Sequence, residues 1–165
     1  MSKKGKHKKY RQYYRKKKTL YVEGLGWKFV KVIDGDTLKF RIPETQYLTD
    51  KLRTISVRLE GVDTPEKGFR AECAQEEKLS DKATAFVEVL IELTEKIELR
   101  DLSWDKYGGR VDAHVILTIK GEEYNLSELL MDNKCGVEYY GNQKDSWCAR
   151  CIDVDNICNI DNLRF

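Results

Sequence analysis

Residues 32–42 read Val32-Ile33-Asp34-Gly35-Asp36-Thr37-Leu38-Lys39-Phe40-Arg41-Ile42, and the fold turns on how this stretch is read. From Thr37 onward apolar and polar side chains alternate. Leu38, Phe40 and Ile42 share one face of an extended segment, and Lys39 and Arg41 share the other. A period of two is the signature of a strand with one buried face. Residues 27–33 are also rich in aromatic and β-branched types, so two strands are expected, 27–33 and 37–42. Asp34-Gly35-Asp36 between them has the composition of a tight reversal. The alternation returns at Ile55, Val57 and Leu59, with Arg58 on the opposite face, and Asp63-Thr64-Pro65-Glu66 ends that strand. Residues 43–52 form the longest expected loop.

The period changes further along. Leu79, Ala83, Phe86, Val87, Leu90 and Ile91 recur at helical spacing and predict one amphipathic helix over 74–95. Residues 96–102 and 111–120 read as two more strands, joined through Asp105-Lys106-Tyr107-Gly108-Gly109-Arg110. Asn125 or Ser127 is placed to cap a short second helix carrying Leu126, Leu129 and Leu130. Beyond Gly141 the pattern fades. The order is strands, helix, strands, short helix. This predicts an α+β protein: an OB-type five-stranded β-barrel with two to three helices. A length of 165 residues suits one such core. Three segments are expected: a basic arm (1–20), the barrel domain (21–147) and a cysteine-containing tail (148–165).

The net charge of +2 hides an asymmetry. Residues 1–18 hold ten Lys or Arg and no acid, which leaves −8 on residues 19–165. A basic arm attracts nucleic acid, because each lysine that pairs with a phosphate releases a condensed counterion. Tyr10, Tyr13 and Tyr14 interleave that charge and offer faces for exposed bases. A solvated extension or a nuclear-targeting signal has the same composition. No apolar run reaches the length of a membrane span, and Thr19-Leu20-Tyr21-Val22 runs directly into Glu23, unlike the core of a secretory signal. A monomer working inside a cell is expected, with nuclear and phage- or virus-associated settings both compatible.

Five cysteines are an odd count, which argues against a complete disulfide framework. Cys73 and Cys135 are expected as reduced, half-buried residues. Cys148-x2-Cys151 followed by Cys158 has half of a zinc-knuckle pattern, yet three thiolates leave the fourth tetrahedral position unfilled. Free thiols are the competing expectation, and a zinc-stabilised adaptor is the function a metal there would suggest.

The chemistry is concentrated in acids and arginines. Asp34 and Asp36 flank a turn, where two carboxylates can serve a hard cation or merely shape a hairpin corner. Arg58 offers planar donors suited to phosphate. Asp63 supplies another acid, Glu66 a proton acceptor, and Arg110 follows a glycine pair beside Tyr107. Taken in order, Ile33–Thr37, Arg58–Glu66, the helix around Phe86, Lys106–Arg110 and Leu126–Leu130 resemble the staphylococcal nuclease (thermonuclease) family. That family carries I-D-G-D-T, then R-L-x-x-V-D-T-P-E, an amphipathic helix, a K-Y-G-R turn and a leucine-rich helix. The resemblance covers about residues 27–147.

That resemblance implies a calcium-dependent nuclease acting on DNA and/or RNA. It implies Asp36, Asp63 and the Thr64 carbonyl as Ca²⁺ ligands, with Asp34 acting through water. Glu66 would orient or deprotonate the attacking water, and Arg58 and Arg110 would grip the scissile phosphate from exposed positions in a cleft. Tyr107, Tyr140 and Lys106 would line the nucleotide pocket. Two departures stand out. Lys106-Tyr107-Gly108-Gly109-Arg110 is one glycine longer than the simplest family turn. The 43–52 loop is longer too, which makes Arg53 a rival to Arg58, although the spacing of Arg58 to Asp63 and Glu66 fits the family motif. The alternative reading is a non-catalytic nucleic-acid-binding module on the same barrel.

Overall fold

A computed structural model of the chain describes residues 18–46, 53–106 and 108–165. The expectations for the arm up to residue 17, for loop residues 47–52 and for Tyr107 lie outside the described residues.

Strand β1 (Lys28–Asp34) and strand β2 (Thr37–Arg41) form the hairpin around Asp34-Gly35-Asp36. Glycine stands at that turn because of a close approach. A Cβ on Gly35 would lie 2.8 Å from Thr64 Oγ1 and 2.9 Å from the Ala83 Cβ. The hairpin corner is thereby pressed against both the Asp63-Thr64 stretch and the long helix. Strand β3 (Thr54–Leu59) pairs antiparallel with β2. Strand β5 (Lys96–Trp104) and strand β6 (Arg110–Ile119) form a second hairpin, and β6 runs parallel to β3. The strand order is β1-β2-β3-β6-β5.

The sheet curls into a half-barrel. Two register shifts in β1, between Phe29 and Lys31 and between Val32 and Asp34, sharpen the local bend. Residues 20–23 touch both free edges: the Phe29 N–H donates to the Leu20 carbonyl (2.9 Å), and the Glu23 N–H donates to the Ile97 carbonyl (2.8 Å). A short strand, β7 (Glu122–Asn125), pairs with β6. The sequence pattern missed it because Glu122-Glu123-Tyr124-Asn125 is polar and half-exposed. Strand β4 (Val62–Asp63) pairs with β8 (Val137–Glu138), which fixes Asp63 in place.

Helix α1 (Ala74–Leu93) buries Leu79, Ala83, Phe86, Val87 and Leu90, the stripe expected from its spacing. These residues share one core with Leu38, Phe40, Val57, Leu59, Val111 and Leu117 from the inner face of the sheet. Helix α2 (Leu126–Asp132) begins at Asn125, whose side chain accepts the Ser127 N–H, so Asn125 rather than Ser127 is the cap. The architecture is therefore mixed α+β, with a curled sheet and, among the described residues, two α-helices.

The cysteine expectations are corrected. Cys73 pairs with Cys148 and Cys135 with Cys158, while Cys151 is free and exposed. Neither Cys73 nor Cys135 stands alone, and the Cys148-x2-Cys151 half-motif cannot hold zinc through a thiolate already bonded to sulfur. Sequence spacing misled because the partners lie 75 and 23 residues apart and meet only in the fold. Residues after Gly141 use isolated anchors (Trp147, Ile157 and Cys158 are buried) in place of a periodic face.

Candidate active site

Strand register lines up the site residues. Asp34 pairs with Thr37, Thr37 with Arg58, and Arg58 with Asp112, one residue from each of four neighbouring strands. Cross-strand neighbours on one face lie close enough to interact directly. The period-two pattern that sends Leu38 and Val57 into the core therefore gathers charge on the opposite face.

Arg58 is the hub of this face. Its Nη1 lies 2.5 Å from Asp36 Oδ1, and its Nη2 donates to Asp63 Oδ1 and to the Val62 carbonyl, each at 3.3 Å. The second Asp36 oxygen accepts the Thr64 N–H at 3.0 Å, and the Thr37 hydroxyl donates to the first. Burial disfavours the charge on Arg58, yet the carboxylates of Asp36 and Asp63 hold it above the ordinary guanidinium range. The exposed arginine expected from the sequence is corrected here: the Arg58 side chain is only 11% exposed. Arg53 is no rival. It donates to the Ile42 carbonyl at the far end of the β2–β3 pair.

Asp63 is fully engaged. Its Oδ2 accepts the Trp147 indole N–H at 3.1 Å, and its Oδ1 also meets Lys144 Nζ at 2.5 Å. Burial would lower the Lys144 ammonium, but its bond to Asp63 raises it. Lys144 reaches Glu66 as well, at 3.4 Å, and Arg70 approaches Glu66 from the other side at 3.6 Å. The backbone under Glu66 is pinned by a buried acid: Glu76 accepts the N–H of Glu66 at 3.0 Å and that of Glu72 at 2.7 Å.

Arg110 enters from the β5–β6 turn. Its Nε lies 2.8 Å from Asp105 and 3.8 Å from Asp112, and its side chain is 36% exposed. Gly108 and Gly109 both adopt positive φ (73° and 87°), a region glycine occupies at no steric cost. The extra glycine thus shapes the turn that delivers Arg110. Arg110, Asp34, Thr37, Ser56, Arg70 and Asp105 line one cleft of about 420 Å³. Lys106 is exposed on the same turn. Tyr140 is exposed and packs its ring over Gly61, and the ring of its neighbour Tyr139 lies 5.3 Å from Lys144 Nζ.

Oxygen donors of this kind suit a hard divalent cation. Burial and the adjacent Asp36 charge push the Asp34 carboxyl up to about 6, and it forms no ion pair among the described residues. A buried carboxyl beside a second acid fits a role near a bound cation. A second group, Glu72, Glu76 and Cys148, is already engaged: Glu76 accepts two backbone N–H groups, Glu72 accepts the Ser146 hydroxyl, and Cys148 is in a disulfide.

Lys144, Trp147, Arg70 and Glu76 had no signal in the sequence. Lys144 and Trp147 act through contacts across the fold, Trp147 lying 84 positions from Asp63, whereas Arg70 and Glu76 act on the nearby Glu66 through a loop geometry that no periodicity reports. In comparison with known proteins, no family model matches the chain and no curated protein matches it.

Proposed function

We propose that the chain is a calcium-dependent nuclease of the staphylococcal nuclease type, hydrolysing phosphodiester bonds of DNA and/or RNA. The observation that carries this reading is Arg58 held between Asp36 and Asp63. Glu66 lies one ion pair away, and Arg110 shares a cleft with Asp34. In this reading the acids serve a cation, the arginines a phosphate and Glu66 the attacking water. The OB-type barrel belongs to the same reading, supported by residues 20–23 bonding to both sheet edges.

A Ca²⁺ ion held by Asp36, Asp63 and the Thr64 carbonyl, with Asp34 through water, would polarise the phosphoryl oxygens. Arg110 reaches into the cleft and donates to non-bridging oxygens, where negative charge grows as water attacks. Arg58 supplies a second fork of donors and keeps Asp36 and Asp63 in register. Glu66 accepts the proton of the attacking water, its carboxylate held in place between Lys144 and Arg70.

Purified protein should cut plasmid DNA or RNA in the presence of Ca²⁺, and a chelator should stop it. Glu66→Gln should lower kcat by about 10²–10⁴. Arg110→Ala should lose turnover with little change in unfolding midpoint. Arg58→Ala should also lose about 3–5 kcal/mol of stability, because it leaves the buried Asp36 without its cation. Nucleic-acid binding without cleavage at saturating Ca²⁺ would sink the enzyme reading in favour of a binding module.

A further inference from the structure

We infer that Lys144 is a placeholder cation, which yields its position on Asp63 to the divalent ion and then pairs with substrate phosphate; this rests on the nuclease reading above. Both oxygens of Asp63 already accept from neighbours, and two of those neighbours are cations. Its Oδ2 is taken by Trp147, its Oδ1 by Arg58 and Lys144, and its side chain is 4% exposed. A divalent ion approaching Asp63 would be repelled by both cations already on its Oδ1, so its entry calls for one of them to move.

The two cations differ in how firmly they are held. Arg58 is buried on a central strand and is tied to Asp36, Asp63 and the Val62 carbonyl. Lys144 is 40% exposed, lies outside regular secondary structure, and reaches in on a flexible four-carbon stem. Its backbone is anchored just beyond, by the Trp147 bond to Asp63 and by the Cys73–Cys148 disulfide. The ammonium can leave while the segment stays. Glu66 and the ring of Tyr139 already flank it, so the displaced charge remains beside the proposed water base. That is where a phosphate would need a counter-charge.

The test uses the full chain and its Lys144→Met and Lys144→Arg variants. Calcium binding is measured by calorimetry without nucleotide. Binding of a cleavage-resistant phosphorothioate oligonucleotide is then measured at saturating Ca²⁺. Lys144→Met should bind calcium with a Kd lower by roughly three- to fivefold, the worth of one half-exposed ion pair. It should bind the oligonucleotide more weakly by a similar factor, and Lys144→Arg should restore both. An unchanged or higher calcium Kd in Lys144→Met overturns the placeholder role. Tighter calcium with unchanged oligonucleotide binding overturns the phosphate role. Absence of calcium binding in all three proteins overturns this inference together with the metal reading.

Discussion

Asp34 closes β1 with 7% of its surface exposed, and burial and the Asp36 charge together push its carboxyl up to about 6. The unfolded chain would release that proton near 3.8. Between those values the folded protein holds a proton that the unfolded chain has lost. This contribution to stability is full below pH 3.8 and is lost as pH rises through 6. At neutral pH the charged Asp34 is therefore a liability in the metal-free protein. Asp34→Asn keeps an oxygen to accept the Asp36 N–H and removes the charge. It should stabilise the metal-free protein by about 1–3 kcal/mol at pH 7, and the gain should vanish by pH 4. Chemical denaturation at the two pH values checks this. Equal stability of variant and wild type at pH 7 would mean that burial and the Asp36 charge do not disfavour the charged Asp34.

At the scale of elements, the first turn of α1 does more than start a helix. Cys73 at the cap position makes no side-chain capping bond, and Glu76 spends both oxygens on the N–H groups of Glu66 and Glu72. The helix thereby holds the preceding loop, and with it the proposed base, against the body. Glu76→Ala should strand those two donors and cost about 1–3 kcal/mol locally. Hydrogen exchange at the amides of Glu66 and Glu72 should accelerate, while amides in the middle of α1 stay protected. Uniform acceleration along α1 would reassign Glu76 to general helix stability. The sequence made the stripe Leu79–Leu90 and the alternation Leu38–Phe40 legible, because periodicity survives in one dimension. Asp34, Arg58 and Asp63 come together in the sequence only through the family resemblance, because the long loop over 43–52 leaves the register between their strands open. Glu76 was illegible: a glutamate near a helix start reads as a dipole partner, and only the fold shows it turned inward. Arg58 was legible as a residue and misread in environment, since no local pattern reports that two acids enclose it.

At the scale of the whole molecule, charge and covalent ties divide the labour between the ends of the chain. The C-terminal end is drawn onto the body by Cys73–Cys148, Cys135–Cys158 and the buried Trp147, and it contributes Lys144 to the site. Lys18 belongs to the body as well, since its ammonium donates to the Thr94 carbonyl at 3.2 Å. Residues 1–17 carry nine Lys and Arg, so the rest of the chain is left at −7. An acidic body repels a polyanion at long range, however well its cleft fits one phosphate. Attraction must then come from the arm, through counterion release that a salt titration reads directly. Deleting residues 1–17 should flatten the dependence of log K on log salt by about 0.9 for every duplex DNA phosphate that the arm no longer neutralises. Cleavage at saturating substrate should keep its kcat, since the deletion removes no residue of the Asp34–Glu66 cluster or the Arg110 turn. An unchanged salt slope would show that the body captures nucleic acid unaided, and a fall in kcat would place part of the arm in the cleft itself.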